Sequence, residues 1–130
     1  MIDKVLTGIF TKFTGSALST ALGGRMYSRF APQGTAFPYA VVDVPTSVHG
    51  GMFVEDIEDL DVLFNLFSQS KSETEITGLL NNLITLYDDC TLTVTGYTHL
   101  FMERDITRSL SDPEYGIRQY SVIYNCSILK

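Results

Sequence analysis

Between Glu55 and Tyr87 the spacing of apolar residues changes period, and this change restricts the possible folds more than any other feature of the chain. From Glu55 to Phe67, Leu60, Val62, Phe64 and Leu66 alternate with Asp59, Asp61, Leu63, Asn65 and Phe67. A period of two marks a strand, here partly apolar on both faces. Ile76, Leu79, Leu80, Leu83, Ile84 and Tyr87 then recur at helical spacing, forming a stripe that must lie on a sheet. Ser72-Glu73-Thr74-Glu75 reads as a capping box, with Ser72 accepting from the amide three residues on and Glu75 reaching back to the amide of Ser72. Asp88-Asp89 closes the helix.

Ile2, Val5, Leu6, Ile9, Phe10 and Phe13 place a first helix over residues 2 to 13. Ser16 caps a second short helix that carries Leu18, Ala21 and Leu22, and Gly23-Gly24 supplies a left-handed stop. Two prolines and a glycine between Pro32 and Pro38 exclude a regular helix and favour an ordered, extended loop. A strand follows from Tyr39 to Val44 and is expected to end at Pro45. Thr46 to Phe53, with Gly50-Gly51 and no apolar period, reads as a mobile hairpin loop of the kind that often binds a partner. Leu92 and Val94 begin another strand, and Thr98 to Arg108 and Arg118 to Leu129 form two more around the turn at Ser111 to Gly116. The expected order is α-α-β-β-α-β-β-β. This is an α+β class, a mostly antiparallel sheet with the N-terminal helices and one central amphipathic helix packed on a face. Residues 1–130 are expected to form a single domain, since 130 residues can bury a core without staples.

Charge is segregated along the chain. Residues 1–30 hold four basic side chains against Asp3 alone, net +3, whereas the remainder holds five basic against fourteen acidic, net −9. The overall charge of −6 argues against general binding to nucleic acid, which relies on Lys and Arg to neutralise phosphates. No stretch approaches the roughly 18 apolar residues of a membrane span, and the N-terminus has no secretory apolar region, so a cytoplasm-like setting is expected.

No phosphate-binding glycine loop, nucleophile elbow or His-Glu-x-x-His pair occurs. Cys90 and Cys126 lack the spacing and partners of a zinc site and read as buried thiols, Cys126 on the more apolar face of its strand. His49 and His99 have no marked catalytic partners. Catalytic, cofactor and metal residues are therefore expected to be none. The densest feature is Glu55, Asp56, Glu58, Asp59 and Asp61. Calcium is one reading, but alternation sends these acids to opposite faces, so a solvated or electrostatic partner surface fits better. Met52, Phe53 and Val54 beside them resemble apolar contacts that await a partner.

Ala31-Pro32-Gln33-Gly34, Phe37-Pro38-Tyr39, the strand end Phe64 to Ser70, the helix through Leu79-Leu80-Leu83, Glu103-Arg104-Asp105 and Tyr120 to Tyr124 occur in an order that resembles the tail-completion, or tail-terminator, proteins of long non-contractile-tailed bacteriophages and prophages. The resemblance spans nearly the whole chain. It implies a non-enzymatic structural protein that works in virion assembly as a homo-oligomeric ring, typically a hexamer. Such a ring sits at the head-proximal end of the virion tail, is assembled in the host cytoplasm, terminates the tail tube and joins it to the head connector protein. DNA would pass through the lumen without specific binding, with no cofactor and no membrane. Val48, His49, Gly50, Gly51, Met52 and Phe53 are the expected contact with the tube or connector. Glu55, Asp56, Glu58, Asp59 and Asp61 are the expected inter-subunit or lumen strand. Another neck protein, a head-closure protein or connector adaptor, and a small-ligand-binding α+β domain remain the alternatives.

Overall fold

The computed structural model describes residues 1–52, 55–110 and 115–130. Three helices and five strands follow one another as α1 (Ile2–Phe13), α2 (Ala17–Leu22), β1 (Met26–Ser28), β2 (Tyr39–Met52), β3 (Glu55–Ser68), α3 (Glu73–Tyr87), β4 (Thr98–Ser109) and β5 (Arg118–Leu129). The strands form one sheet in the order β1-β2-β3-β5-β4. The β1–β2 pair is parallel and the others are antiparallel, as the α+β class requires.

The helices lie on one face. Val5, Ile9 and Phe13 of α1, Leu18 and Leu22 of α2, and Ile76, Leu79, Leu83 and Tyr87 of α3 are all buried. They meet Ala40 and Val42 of β2, Leu60, Val62, Phe64 and Leu66 of β3, Met102 of β4, and Val122, Tyr124, Cys126 and Ile128 of β5. Phe64 is the pivot, stacked on Tyr87 at 4.7 Å and edge-on to Tyr124 at 5.8 Å. The Tyr87 hydroxyl donates to the Ile9 carbonyl at 2.9 Å, which ties α3 to α1 through the core.

Local chemistry sets most of the boundaries. Ser16 accepts from the Ser19 amide at 3.1 Å and Gly23 takes the left-handed conformation, so α2 starts and stops as its sequence dictates. At α3, Ser72 caps by accepting from the Thr74 amide at 3.2 Å. The expected reciprocal bond does not form, because Glu75 instead accepts from the hydroxyl of Ser68, a buried residue at the end of β3, at 2.8 Å. A buried hydroxyl gains more from a charged acceptor than an exposed amide does.

Three expectations about strands need correction. Pro45 does not end β2: it falls in the bulge between Asp43 and Thr46, beyond the reach of β1, which pairs only with 40–42. A missing amide is cheap at such a place, so the ladder resumes and runs to Met52. Leu92 and Val94 are buried but make no ladder. Their segment runs across α1, so close that a Cβ on Gly8 would lie 2.7 Å from the Thr93 carbonyl oxygen. The fifth strand is instead β1, three residues long, beside Arg25, whose guanidinium donates to the Pro38 carbonyl at 3.0 Å and the Phe37 carbonyl at 3.5 Å.

Candidate assembly surface

The stretch read as a loop and the acidic stretch after it are the two strands of one hairpin. Val48 pairs with Asp59, His49 with Glu58, Gly50 with Ile57, Gly51 with Asp56 and Met52 with Glu55. The expected contact segment is therefore strand rather than loop, because Val48 to Met52 pair residue by residue with β3. Phe53, and with it Val54, lies outside the described residues.

Alternation divides the carboxylates as expected. Glu58 points to the side that carries His49 and Ser47, and accepts from both: Oε1 lies 2.8 Å from His49 Nδ1, and Oε2 accepts from Ser47 Oγ at 2.9 Å. The His49 hydrogen bond, reinforced by that of Ser47, holds the Glu58 carboxyl below its ordinary range. His49 Nε2 lies 3.8 Å from an Asp56 carboxylate oxygen, so the imidazole stands between two of the five acids and is hydrogen-bonded to Glu58. Asp59 and Asp61 point to the opposite face, beside Val48 and Thr46.

No described helix or strand covers that opposite face. It falls into bands, read from the ladder register. One band carries Asp61, Asn125 and Glu103, next to Asp59, Ser127 and Phe101, around a depression of about 320 Å³. The next band carries Leu63, Ile123 and Ile106, which with Leu110, Arg108 and Ser121 enclose a second, mostly apolar depression of about 200 Å³. Below it Asn65 accepts from Ser121 Oγ and from Gln119 Nε2. Leu100, Phe101, Ile106 and Leu110, all on β4 or just after it, are among the most exposed large apolar side chains.

The edges of the sheet differ from each other. β4 has a strand neighbour on one side only, and β2 beyond Val42 likewise pairs only with β3. An unpaired edge is a template for another chain unless it is blunted. The bulges at His99/Phe101 and Arg104/Ile106, together with the charges of Glu103, Arg104, Asp105 and Arg108, blunt β4 against indiscriminate pairing. The Pro45 bulge acts in the same way on β2.

Elsewhere the side chains support structure. Burial pushes the Cys126 thiol up to about 12 and also raises that of Cys90, so neither is a poised nucleophile. Burial lowers the basicity of His99, whose Nδ1 accepts from the Leu92 amide at 3.3 Å. Among the described residues no group of three or more His, Cys, Asp or Glu is placed to hold a metal ion, and no helix is long and apolar enough to cross a membrane. Sequence reasoning missed Arg118. It donates to the carbonyls of Ser70 at 3.2 Å and Lys71 at 3.0 Å and pairs with Glu73 at 3.1 Å, fastening the start of β5 to the turn before α3. A lone arginine at a strand start gives no signal of such a role.

The sheet thus has one covered and one bare face and two dissimilar edges, and the comparisons with known proteins give the class of protein that carries them. The model of the family described as tail completion protein gp17 matches residues 8–129. The chain belongs to this family and is a structural protein of the phage tail or neck. No curated protein matches it significantly. Among solved structures, a chain from the virion of a native gene transfer agent particle superposes with a TM-score of 0.85 at 8% identity, covering 95% of this chain and 93% of that one. At that identity the likeness is one of fold.

Proposed function

We propose that the chain assembles head to tail into a ring, six copies being the expected number, at the head-proximal end of the tail tube, where it stops tube growth and joins the tail to the head connector. The observation that carries this reading is the match of the tail completion family over residues 8–129. The geometry supports it. Two different sheet edges on opposite sides of a subunit suit a heterologous interface, which closes into a ring when the rotation allows. The contrast between the basic N-terminal part and the acidic remainder gives such an interface a direction.

The two sets of acids take separate roles in this reading. Asp61 and Glu103, on the bare face, meet the next copy, while Asp59, nearer the hairpin end of that face, lines the lumen and repels phosphate, so DNA slides through without sticking. Asp56 and Glu58, on either side of His49, belong with Val48 to Met52 to the hairpin end that contacts the tube or connector. Residues 1–130 act as one domain in this role, and assembly takes place in the host cytoplasm.

The test is the mass of the purified protein by light scattering at two salt concentrations, with and without tail tubes. A discrete ring near six subunits, free or on the tube, is expected. The triple change Glu55→Lys, Asp56→Lys and Glu58→Lys should weaken tube attachment most at low salt. A wild-type chain that stays monomeric and ignores tubes would overturn the reading, and unchanged attachment of the triple variant at both salts would remove the acidic hairpin from it.

A further inference from the structure

Phe30 is the most exposed large apolar side chain among the described residues, at 83% of its surface, yet its backbone is tightly fixed. Arg29 takes the left-handed conformation, with φ 65°, which is uncommon for a residue with a long side chain. Its amide donates to the Val42 carbonyl at 2.9 Å, and the Phe30 amide donates back to the Ser28 carbonyl at 2.8 Å. The chain is thus turned sharply off the end of β1, and the ring is held out at that edge of the sheet. An aromatic side chain displayed on a backbone fixed in an uncommon conformation points to a recognition role.

The apolar depression walled by Leu63, Ile106, Leu110 and Ile123 lies toward the opposite, β4 edge. Its volume of about 200 Å³ is of the order of one phenyl side chain, and its walls are mostly apolar, completed by Arg108 and Ser121. The band beside it on the same face carries Asp61 and Glu103. The residue beside Phe30 is the exposed Arg29, which among the described residues pairs with Asp43 at a loose 3.5 Å. Knob and socket therefore match in size, and Arg29 beside the knob is opposite in charge to Asp61 and Glu103 in the adjacent band, the exposed Arg108 at the socket being a like charge that the contact must leave in solvent.

We infer that Phe30 of one copy seats in the Leu63–Ile106–Leu110–Ile123 depression of the next, with Arg29 turned to the Asp61 and Glu103 band of that copy. This rests on the self-assembly proposed above and specifies its interface. Knob and socket sit toward opposite edges of the sheet, so each copy offers one of each and the contact repeats around a ring instead of ending at a dimer. Phe30 alone buries too little for a stable interface, and the exposed Leu100 and Phe101 on the same edge add to the contact.

Complementation distinguishes this arrangement from others. Phe30→Asp destroys the knob and keeps the socket, whereas Ile106→Asp destroys the socket and keeps the knob. Both positions are exposed, so each variant should melt like the wild type. Each alone should be monomeric by light scattering, with self-association weakened at least tenfold. Mixed in equal amounts they should form dimers and nothing larger, since one good interface remains and cannot propagate. In parallel, a chain with p-benzoylphenylalanine at position 30 is irradiated free and on tail tubes, and its adducts should map to Leu63, Ile106–Leu110 or Ile123 of another copy. Wild-type rings together with rings of Phe30→Asp, or adducts elsewhere, overturn this inference and leave the proposed function standing. A wild-type chain monomeric both free and with tubes overturns both.

Discussion

The two faces of the sheet are built by the same strands under the same alternation, yet they answer to different demands. Leu60, Val62, Phe64 and Leu66 of β3 are fully buried under the helices, whereas Asp59, Asp61, Leu63, Asn65 and Phe67, their immediate neighbours in sequence, form a surface left uncovered. The covered face is closed by large apolar side chains, and its two buried tyrosines have partners, the Tyr87 hydroxyl on Ile9 and the Tyr124 hydroxyl on Asp88 at 2.6 Å. The bare face is banded, acidic next to apolar. A face required only to be wet would not need Leu63, Ile123 and Ile106 in a row, and a face required only to be dry would not carry Asp61 and Glu103 beside them. In the function proposed above, the contrast separates the residues that make the fold from those that make the assembly.

Substitutions across the divide should therefore fail in different ways. The largest effect on stability is expected from Phe64→Ala, which empties the centre of the covered face and removes two ring contacts, at a cost of about 3–5 kcal/mol in urea unfolding. Leu63→Ala, one residue away, should cost the isolated subunit about 1 kcal/mol or less while weakening self-association. If the two cost the same, the division between faces is wrong.

Gly8→Ala comes next. Its added methyl would sit 2.7 Å from the Thr93 carbonyl oxygen, and because that neighbour is backbone, a loss of about 1–3 kcal/mol is expected, read as a lowered melting temperature. The covered face also predicts alkaline fragility. Burial raises the pKa of Cys126 to about 12 and pushes those of Tyr87 and Tyr124 above their ordinary value of 10.0. The unfolded chain therefore loses these protons first. Stability should be full below the ordinary thiol value of 9.0 and fall as pH rises from there toward 12. Cys126→Ala should flatten that fall in melts recorded across the range. The smallest effect belongs to the exposed hairpin. His49→Gln should raise the Glu58 pKa, visible by carboxyl NMR, while changing stability by about 1 kcal/mol at most.

Much of the covered face could be read in the sequence. The stripes of α1 and α3, the alternation of β3 and the long β4 and β5 follow from burial on one side, and burial writes a period into the chain. Elements held by other means left no period. β1 has three residues and depends on Arg25 and the Val42 carbonyl for its setting. Leu92 and Val94 alternate because both are buried against α1, and alternation records burial without recording pairing. The stretch from Thr46 to Met52 lacks an apolar period for the opposite reason. Its strand is held by backbone bonds to β3 with little beneath it, so Pro45 and two glycines outweighed a ladder that only the acidic partner strand completes.

The assembly surface was legible only in part. The acidic run stood out as charge, and its division between faces followed from the pleat. That the hairpin loop and the acidic strand are one unit required the register, and the proposed pairing of Phe30 with a depression formed by three strands required the fold. Single exposed phenylalanines are common in sequences, and only a fixed backbone and a matching cavity give this one meaning.

The most direct test of the account is growth of tail tubes from purified tube protein with and without this chain, followed by electron microscopy. The account predicts that substoichiometric amounts stop elongation and leave a ring of this protein at one end of each tube, the end that then accepts connectors. Tubes that grow to the same lengths without a ring, or rings found only at the end that refuses connectors, would contradict it.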